Sequence, residues 1–228
     1  MLEQVKAVIF DLDGTLVDSM GLWKDIDIEF LSARGIEYHD DLQEKIEGMS
    51  FTETAVFCKD YYRLEESVEE LKAIWNRMAD YKYRYEVKLK PGVMEFLDCL
   101  KERGMKLGIA TSNSKELIEA VNAAYHFDSY MSCIVTSCSV KKGKPAPDVY
   151  LEAARQLGVK PEECLVFEDI VKGIEAGKNA GMKVCAVEDA YSRSQREKKK
   201  EISDYYIESY DDIKNNSYYR AGDRLVQI

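Results

Sequence analysis

The 228-residue sequence is poor in histidine, with only His39 and His126, and it has no long hydrophobic run. Because two histidines are too few for a histidine cluster, any acid–base chemistry in this chain should rest on carboxylates. A helix needs about 20 apolar residues to cross a bilayer, and no stretch of the sequence approaches that length. The apolar run at 5–10 is also too short for the core of a secretory signal. These absences predict a cytoplasmic protein that has no membrane partner.

Cysteine pairs and basic character are lacking as well. The six cysteines are scattered and none forms a C-x-x-C pair, so we expect small core residues in a reducing compartment rather than disulfides or a zinc site. The formal net charge of −10 argues against a nucleic-acid partner, which would normally meet a basic face. An anionic substrate stays open, because a local site can differ in sign from the surface as a whole. The absence of a G-x-x-x-x-G-K-S/T motif excludes a P-loop kinase.

Short apolar runs alternate with helical patterns over most of the chain. Continuous apolar runs of this kind suit strands that are buried on both faces, as in a parallel sheet. Apolar residues at helical spacing fill the intervals, with stop and start signals such as Gly104 and Pro147. This alternation predicts an α/β fold with a doubly wound, Rossmann-like parallel sheet. The strands are expected at 5–10, 105–111, 133–136, 164–169 and 183–188, with a peripheral one at 204–208.

The alternation is interrupted after the first predicted strand by a stretch of helices alone. This stretch lacks a convincing strand, and Ser67 and Glu70 form a capping box at the start of one of its helices. We therefore predict an α-helical cap domain at 16–89, inserted into an α/β core made of 1–15 and 90–228. Because core and cap are joined by two neighbouring chain crossings, a hinge is expected between them.

Polar residues follow the ends of the predicted strands. In an open parallel sheet, ligands bind outside these carboxyl ends. Carboxylates packed together repel strongly unless a cation joins them, and oxygen ligands favour a hard divalent ion, for which Mg²⁺ is the default. A lysine and the donors of a helix N-terminus would hold an anion, so the combination predicts phosphoryl transfer. These residues are Asp11 and Asp13 after the first strand, Thr111, Ser112 and Asn113 after the second, Lys144 after the third, and Glu168 and Asp169 after the fourth.

Asn113 has a second predicted role. Together with Glu116 it is placed as a capping pair for the helix that follows the second strand. A residue of this type can stabilise a helix N-terminus and also contribute a donor for an anion bound there. The sequence therefore predicts Asn113 at the start of this helix.

The residues at these strand ends belong to four motifs: DLDGTLVDS at 11–19, ATS at 110–112, KGKPAPDVY at 142–150 and FED at 167–169. Their order resembles the haloacid dehalogenase (HAD) superfamily of hydrolases, and the resemblance spans nearly the whole chain. A helical cap inserted after the first motif resembles the subgroup that contains β-phosphoglucomutase and phosphoglycolate phosphatase. The resemblance implies a Mg²⁺-dependent enzyme that acts on a small phosphorylated metabolite.

The resemblance also implies a role for each position of the site. Asp11 would be the nucleophile that attacks phosphorus and becomes an aspartyl-phosphate. Asp13 would protonate the leaving oxygen and then take a proton from the hydrolytic water, while its backbone carbonyl binds the metal. Asp11 and Asp169 would complete the protein ligands of the metal, with Glu168 close by or ligating. The phosphoryl oxygens would be held by Thr111, Ser112 and Lys144. Asn113 also follows the second strand, and its side-chain amide would add a further donor.

The cap is expected to decide the substrate, and here the sequence departs from β-phosphoglucomutase. That enzyme has a histidine shortly after its nucleophile and an arginine after the G-x-S of its cap, where this chain has Trp23 and, after Ser50, Phe51. An arginine there would bind the second phosphate of a bisphosphate intermediate, which Phe51 cannot do. We therefore predict a monomeric phosphatase for a small phosphomonoester such as a sugar phosphate, with Trp23, Ser50 and Phe51 facing the substrate. A β-phosphoglucomutase-type mutase and a catalytically silent binding protein are the alternatives.

Overall fold

The structure, a computed structural model, describes residues 1–221, so the end of the predicted core at 222–228 lies outside the described residues. Within them, a seven-stranded main sheet is parallel throughout except for its last pair of strands. Six strands occupy the expected positions, which confirms the predicted α/β fold with a doubly wound parallel sheet. Across the sheet lie β5 (Cys133–Thr136), β4 (Lys106–Thr111), β1 (Ala7–Phe10), β6 (Cys164–Glu168), β7 (Lys183–Val187), β8 (Tyr205–Ile207) and the added edge strand β9 (Tyr219–Arg220).

The central strand β1 is buried on both faces, as its sequence AVIF requires. Val8 and Phe10 point to one side of the sheet and Ala7 and Ile9 to the other, because successive side chains of a strand alternate. Each set joins a separate hydrophobic cluster that includes the covering helices, so the sheet is the middle of three layers. The helices are α5 (Val93–Glu102) and α6 (Lys115–Tyr125) on the first side, and α7 (Asp148–Leu157) and α8 (Val171–Asn179) on the second, with the short helices α9 (Arg196–Ile202) and α10 (Asp211–Asn215) later in the chain.

The register of the three central strands brings their carboxyl ends level with one another. Phe10 at the end of β1 pairs with Ile109 on β4 and with Phe167 on β6. The backbone N–H of Asp11 continues this ladder by donating to the carbonyl of Phe167 at 3.0 Å. The polar residues that follow these strands therefore reach the same edge of the sheet.

The helical insert begins after a short strand pair that joins its two ends. Four helices form it, and the predicted capping box is confirmed, since the Oγ of Ser67 accepts a hydrogen bond from the N–H of Glu70. The prediction that this stretch lacks strands is wrong at its two ends, because two two-residue strands pair there. Strands this short have no periodicity that a sequence pattern could reveal. The elements are β2 (Val17–Asp18), α1 (Met20–Ser32), α2 (Asp41–Ile46), α3 (Phe51–Tyr62), α4 (Val68–Tyr85) and β3 (Lys88–Leu89).

Aromatic residues of three helices pack together within the insert. Trp75 on α4 contacts Phe30 and Phe51 in edge-to-face geometry, with ring centroids 5.4 and 5.8 Å apart. Aromatic pairs of this kind add stability beyond the apolar area that they bury. The division into a cap at 16–89 and a core stays a prediction, because these aromatic residues belong to the same hydrophobic cluster as one side of the main sheet.

All six cysteines are free thiols, and four of them are buried, which agrees with the predicted role of small core residues. Among residues 1–221, none of the helices combines the length and the apolar character needed to cross a membrane.

Candidate active site

Three acidic residues meet at the carboxyl edge of the sheet. Asp11 follows β1, Glu168 ends β6 and Asp169 follows it, and each offers an oxygen within 4.8 Å of those of the other two. All three are buried, and Glu168 is completely inaccessible. Burial raises the pKa of Asp11 to about 7, and the neighbouring acids oppose the influence of Lys144, which lowers it. Acidic groups that lie this close together and away from solvent require a positive charge nearby.

Lys144 supplies part of that charge. Its Nζ lies 2.7 Å from Oδ1 of Asp11 and 2.5 Å from Oε1 of Glu168, and the side chain is almost fully buried. Burial opposes its charge, but the attraction of Asp11 and Glu168 prevails and raises the pKa of Lys144. The lysine therefore stays an ammonium at the strand ends, where it can also contact an anion.

Glu168 is held by four hydrogen bonds. Its Oε1 accepts from Lys144 and from the hydroxyl of Tyr150 at 2.9 Å, and its Oε2 accepts from the backbone N–H groups of Asp169 and Ile170 at 2.9 and 3.3 Å. A carboxylate has about four lone-pair positions, so these contacts occupy them. A Cβ at Gly173 on α8 would collide with this carboxylate. Glycine at this position is therefore required for the orientation of Glu168.

Asp169 is the acid with an unsatisfied oxygen. Its Oδ1 accepts from the Oγ1 of Thr15 at 3.0 Å, whereas its Oδ2 is buried and has no hydrogen-bond partner within the described part of the chain. Burial, followed by the charges of Glu168 and Asp11, raises the pKa of Asp169 well above its usual range. The backbone turns close by at Gly14, whose φ of +76° suits glycine and whose missing Cβ leaves room for this carboxylate. An orphaned carboxylate oxygen among three buried acids fits a bound cation.

Asp13 lies in a separate hydrogen-bond cage. Its Oδ1 accepts from Ser19 at 2.5 Å and from the hydroxyl of Tyr83, and its Oδ2 accepts from Nδ2 of Asn113 at 2.9 Å. Tyr83 is fully buried on α4, and its hydroxyl accepts from Nε1 of Trp23 at 2.8 Å. The helical insert thus reaches directly to one of the predicted catalytic carboxylates.

Sequence reasoning missed Tyr83, Tyr150 and Ser19 as site residues. The available signal for Tyr83 is its place on the buried stripe of α4, four residues after Ala79 and eight after Trp75. That spacing marks a core residue, but only the fold shows that its hydroxyl meets a carboxylate.

The residues after β4 are brought to the site, where the side chains of Thr111 and Asn113 already form hydrogen bonds within the chain. Thr111 is buried, and its Oγ1 accepts from the N–H of Asn113 at 3.1 Å, while Ser112 and Asn113 line the same cavity. The predicted capping pair of Asn113 and Glu116 is wrong, because the N-cap of α6 is Ser114, whose Oγ accepts from the N–H of Leu117. Asn113 instead accepts from the N–H of Ser114 through Oδ1 and holds Asp13 through its amide.

Two of the three predicted cap residues line a cavity of about 640 Å³ that opens over the strand ends. The rings of Trp23 and Phe51 pack edge to face with their centroids 6.0 Å apart. The backbone N–H of Phe51 donates to the carbonyl of Ser112 at 3.0 Å. Ser50 is not among the residues that line the cavity. It is the N-cap of α3 and forms a capping box with Glu53.

Comparison with known proteins places this geometry among enzymes. The model of the family described as haloacid dehalogenase-like hydrolase matches residues 8–187, which confirms the family resemblance drawn from the four motifs. The phosphorylated carbohydrates phosphatase of Thermotoga maritima is 32% identical over 179 residues, an alignment that covers 78% of this chain and 82% of that protein.

Two further matches extend the comparison. The bifunctional riboflavin kinase/FMN phosphatase of Arabidopsis thaliana is 36% identical over 182 residues, which cover 79% of this chain and 48% of that protein, so the chain spans about half the length of this relative. Among solved structures, β-phosphoglucomutase of Clostridium difficile superposes with a TM-score of 0.76 at 22% identity, over 93% of this chain and 97% of that one. At that identity the likeness shows the shared fold.

Proposed function

The chain belongs to the haloacid dehalogenase-like hydrolases and is a phosphatase of that family, and we propose that it hydrolyses a small phosphomonoester, such as a sugar phosphate, through an aspartyl-phosphate on Asp11. The observation that carries the proposal is the buried cluster of Asp11, Glu168 and Asp169 with Lys144, beside the hydrogen-bonded Asp13. This arrangement holds a nucleophile, an acid–base group and sites for a cation and an anion within one cavity.

Mg²⁺ is the proposed cofactor, and the residues present fit it. Asp11 and Asp169 would ligate it through carboxylate oxygens, and Asp13 through its backbone carbonyl. Glu168 would stand beside the ion rather than ligate it, because its oxygens already accept four hydrogen bonds. When bound, the ion would offset the charge of the buried acids and of the phosphoryl group.

The first half-reaction makes a covalent bond to Asp11. One Oδ of Asp11 attacks phosphorus, and the bond between phosphorus and the ester oxygen breaks with its electron pair leaving on oxygen. Asp13, protonated, gives its proton to that oxygen, so the leaving group departs as an alcohol. Lys144, together with the donors around Thr111 and Ser112, would hold the phosphoryl oxygens during the transfer.

The second half-reaction restores the enzyme. Asp13, now ionised, takes a proton from a water molecule that attacks the aspartyl-phosphate, and phosphate leaves with Asp11 regenerated. The hydroxyl of Ser19 can either donate to Asp13 or accept from it, so the cage around Asp13 accommodates both of its protonation states. Tyr83 stays a donor, because its hydroxyl already accepts from Trp23 and Asn113. The cage thus suits a group that must change protonation twice in each turnover.

Hydrolysis is favoured over mutase activity by the lining of the cavity. Trp23 and Phe51 occupy the positions at which β-phosphoglucomutase is expected to carry polar residues, and no arginine within residues 1–221 lines the cavity. A mutase has to bind a second phosphate and return the phosphoryl group to a sugar hydroxyl, which calls for cations there. The α1–α4 insert, joined to the core through the β2–β3 pair, is proposed as the cap that closes over the substrate.

The proposal is tested by turnover of p-nitrophenyl phosphate. Mg²⁺ should be required and EDTA should stop the reaction, since three acids surround the metal position. Asp11→Asn should abolish turnover, whereas Asp18→Asn, the same change at an exposed position on β2, should leave it close to wild type. Metal-independent turnover, or substantial activity of Asp11→Asn, would refute the mechanism.

A panel of phosphomonoesters that includes β-glucose 1-phosphate separates hydrolysis from transfer. Release of inorganic phosphate is the expected result with this substrate and with the other esters. Formation of glucose 6-phosphate without phosphate release would instead identify a mutase.

A further inference from the structure

The cavity is larger than a phosphoryl group needs. Its volume of about 640 Å³ falls within the roughly 300–1,000 Å³ of pockets that hold whole small molecules. Core residues such as Thr111 and Lys144 line one part of it, and residues of α1, α2 and α3 line another. This second part would receive the leaving group of the substrate.

The leaving-group part of the cavity is acidic. Lys24 is the one basic side chain of the described insert that lines it, and its Nζ is already paired with Oδ1 of Asp40 at 2.7 Å. Lys144 is committed to the acids of the site. The carboxylates that line this part are Asp27, Asp40, Glu44 and Glu47.

Asp27 is a partly buried carboxyl group with no cation paired to it among the described residues. Gln43 donates to its Oδ2 at 2.5 Å, and within the described residues Asp27 has no ion pair. Burial raises the pKa of Asp27 to about 7, because this one hydrogen bond does not offset the loss of water. A ligand hydroxyl or ammonium group that donates to Asp27 would relieve that cost.

Glu47 is the second acid of this part of the cavity, and unlike Asp27 it has a lysine nearby. It is partly buried, its Oε1 accepts from Nε2 of Gln195 at 2.7 Å, and burial raises its pKa. The nearby Lys172 donates to the backbone carbonyl of Glu47 at 2.8 Å and forms no ion pair of 4.0 Å or less with its carboxylate. Both acids therefore face the cavity with spare capacity to accept hydrogen bonds.

Trp75 provides an independent observation. It lines the cavity, only 3% of its surface is exposed, and its buried Nε1–H has no acceptor within the part of the chain that the structure describes. An unpaired buried donor calls for an acceptor oxygen. A hydroxyl group can accept from Trp75 or donate to Asp27, and a polyol offers several such groups.

On the premise of the proposed function, we propose that Asp27 and Glu47 select a phosphomonoester whose leaving group carries hydroxyl or ammonium donors and no second anion. A second phosphate or a carboxylate would lie against carboxylates, with no free cation in the described lining to pair with it. Selection therefore rests on repulsion of the wrong leaving group as well as on hydrogen bonds to the right one.

Three esters of similar size test this selection by charge. Phosphoethanolamine, 2-hydroxyethyl phosphate and phosphoglycolate carry an ammonium, a hydroxyl and a carboxylate at the end of a two-carbon leaving group. At about pH 8, above the raised pKa of Asp27, the kcat/KM of phosphoglycolate should be at least about 30-fold below that of 2-hydroxyethyl phosphate, and phosphoethanolamine should not be disfavoured. Equal values for phosphoglycolate and 2-hydroxyethyl phosphate would overturn the inference.

Substitutions of Asp27 and Glu47 test whether these two acids cause the selection between leaving groups. Asp27→Asn and Glu47→Gln should each narrow the ratio between 2-hydroxyethyl phosphate and phosphoglycolate at least threefold, on the order of the gain expected when one repulsive charge is removed. The ratio is informative because a folding defect lowers both rates alike. Asp60→Asn, a change at an exposed carboxylate on α3, should leave the ratio unchanged. A ratio unaltered in both cavity variants would contradict the role of these acids.

A parallel assay separates this inference from the proposed function. If p-nitrophenyl phosphate is not hydrolysed, the proposed chemistry fails, and selection is then measured as binding. Because Trp23 and Trp75 line the cavity, their fluorescence should report titration with each of the three esters. Phosphoglycolate should bind most weakly, and an order in which it binds most tightly would refute the inference without any turnover.

Discussion

Replacement of Tyr83 by phenylalanine should slow proton transfer to the leaving group while the phosphoryl site stays in place. The hydroxyl of Tyr83 donates to Oδ1 of Asp13 and accepts from Nε1 of Trp23 at 2.8 Å and from Nδ2 of Asn113 at 3.1 Å. Phenylalanine keeps the ring that packs in the insert and removes only this hydroxyl. Asp13 then loses one of its three side-chain donors, with Ser19 and Asn113 remaining.

The size of the effect follows from these contacts. A hydrogen bond to a charged group contributes about 1.5–3 kcal/mol, and a loss of about 2 kcal/mol in the transition state corresponds to roughly 30-fold in rate. The indole N–H of Trp23 loses its acceptor as well, which should cost about 1–3 kcal/mol of folding stability. For a chain of this length, a loss of about 2 kcal/mol lowers Tm by roughly 4–8 °C.

Two leaving groups make the assay specific. An alcohol needs a proton from Asp13 to depart, whereas p-nitrophenolate departs readily without one. In Tyr83→Phe, kcat for 2-hydroxyethyl phosphate should fall about 30-fold, and kcat for p-nitrophenyl phosphate should fall less than about fivefold. Tyr81→Phe is the matched control, because Tyr81 lies on the same helix and 62% of its surface is exposed. Equal losses on both esters would mean that Tyr83 only supports the fold, and wild-type rates on both would refute its link to Asp13.

Two further predictions concern the acid cluster. Gly173→Ala should lower kcat/KM at least about tenfold, because the added Cβ would collide with the Glu168 carboxylate that pairs with Lys144. Gly21→Ala is the control and should leave kcat/KM unchanged, because a Cβ there meets nothing within 4 Å. A Gly173→Ala enzyme with wild-type kcat/KM and unchanged circular dichroism would refute this prediction. Mg²⁺ at 100 times its Kd should stabilise the folded protein by about 2.7 kcal/mol and therefore raise its Tm. Asp169→Asn should largely abolish that rise, because Asp169 has the unpaired carboxylate oxygen. An unchanged rise in Tm in this variant would place the ion elsewhere.

The sheet and the acids at its edge could be predicted because both depend on local sequence. A continuous apolar run such as AVIF forms a buried strand in almost any α/β context, and the residue after it must leave the sheet at its carboxyl edge. Asp11, Thr111 and Asp169 are brought together for this reason, with Lys144 from the loop before α7. Their roles in catalysis stay predictions, as does the monomeric state.

Other features of the site could not be predicted, since they depend on which partner a polar group finds in the folded chain. From its place in the sequence, Ser50 could either face the substrate or cap the N-terminus of α3. Its side chain accepts a hydrogen bond from the N–H of Glu53, so it is the N-cap of that helix. Glu168 and Asp169 carry the same functional group. Four donors bind the carboxylate of Glu168, whereas Oδ2 of Asp169 has no partner among the described residues. Sequence spacing contains no information on such competition for donors.

Two of the hydrogen bonds between the helical insert and the core reach the proposed catalytic residues or their neighbours. Tyr83 on α4 holds Asp13, and the N–H of Phe51 on α3 donates to the carbonyl of Ser112 next to the proposed phosphate site. If the insert moves as a cap about the β2–β3 pair, both contacts must break when it opens and form again when it closes. The acid–base group would then be fully supported only with the cavity closed, when solvent is excluded and a bound leaving group lies against Asp27 and Glu47. A substrate that the acidic cap repels would therefore lose rate as well as affinity, because the closed state that orders Asp13 would be less populated.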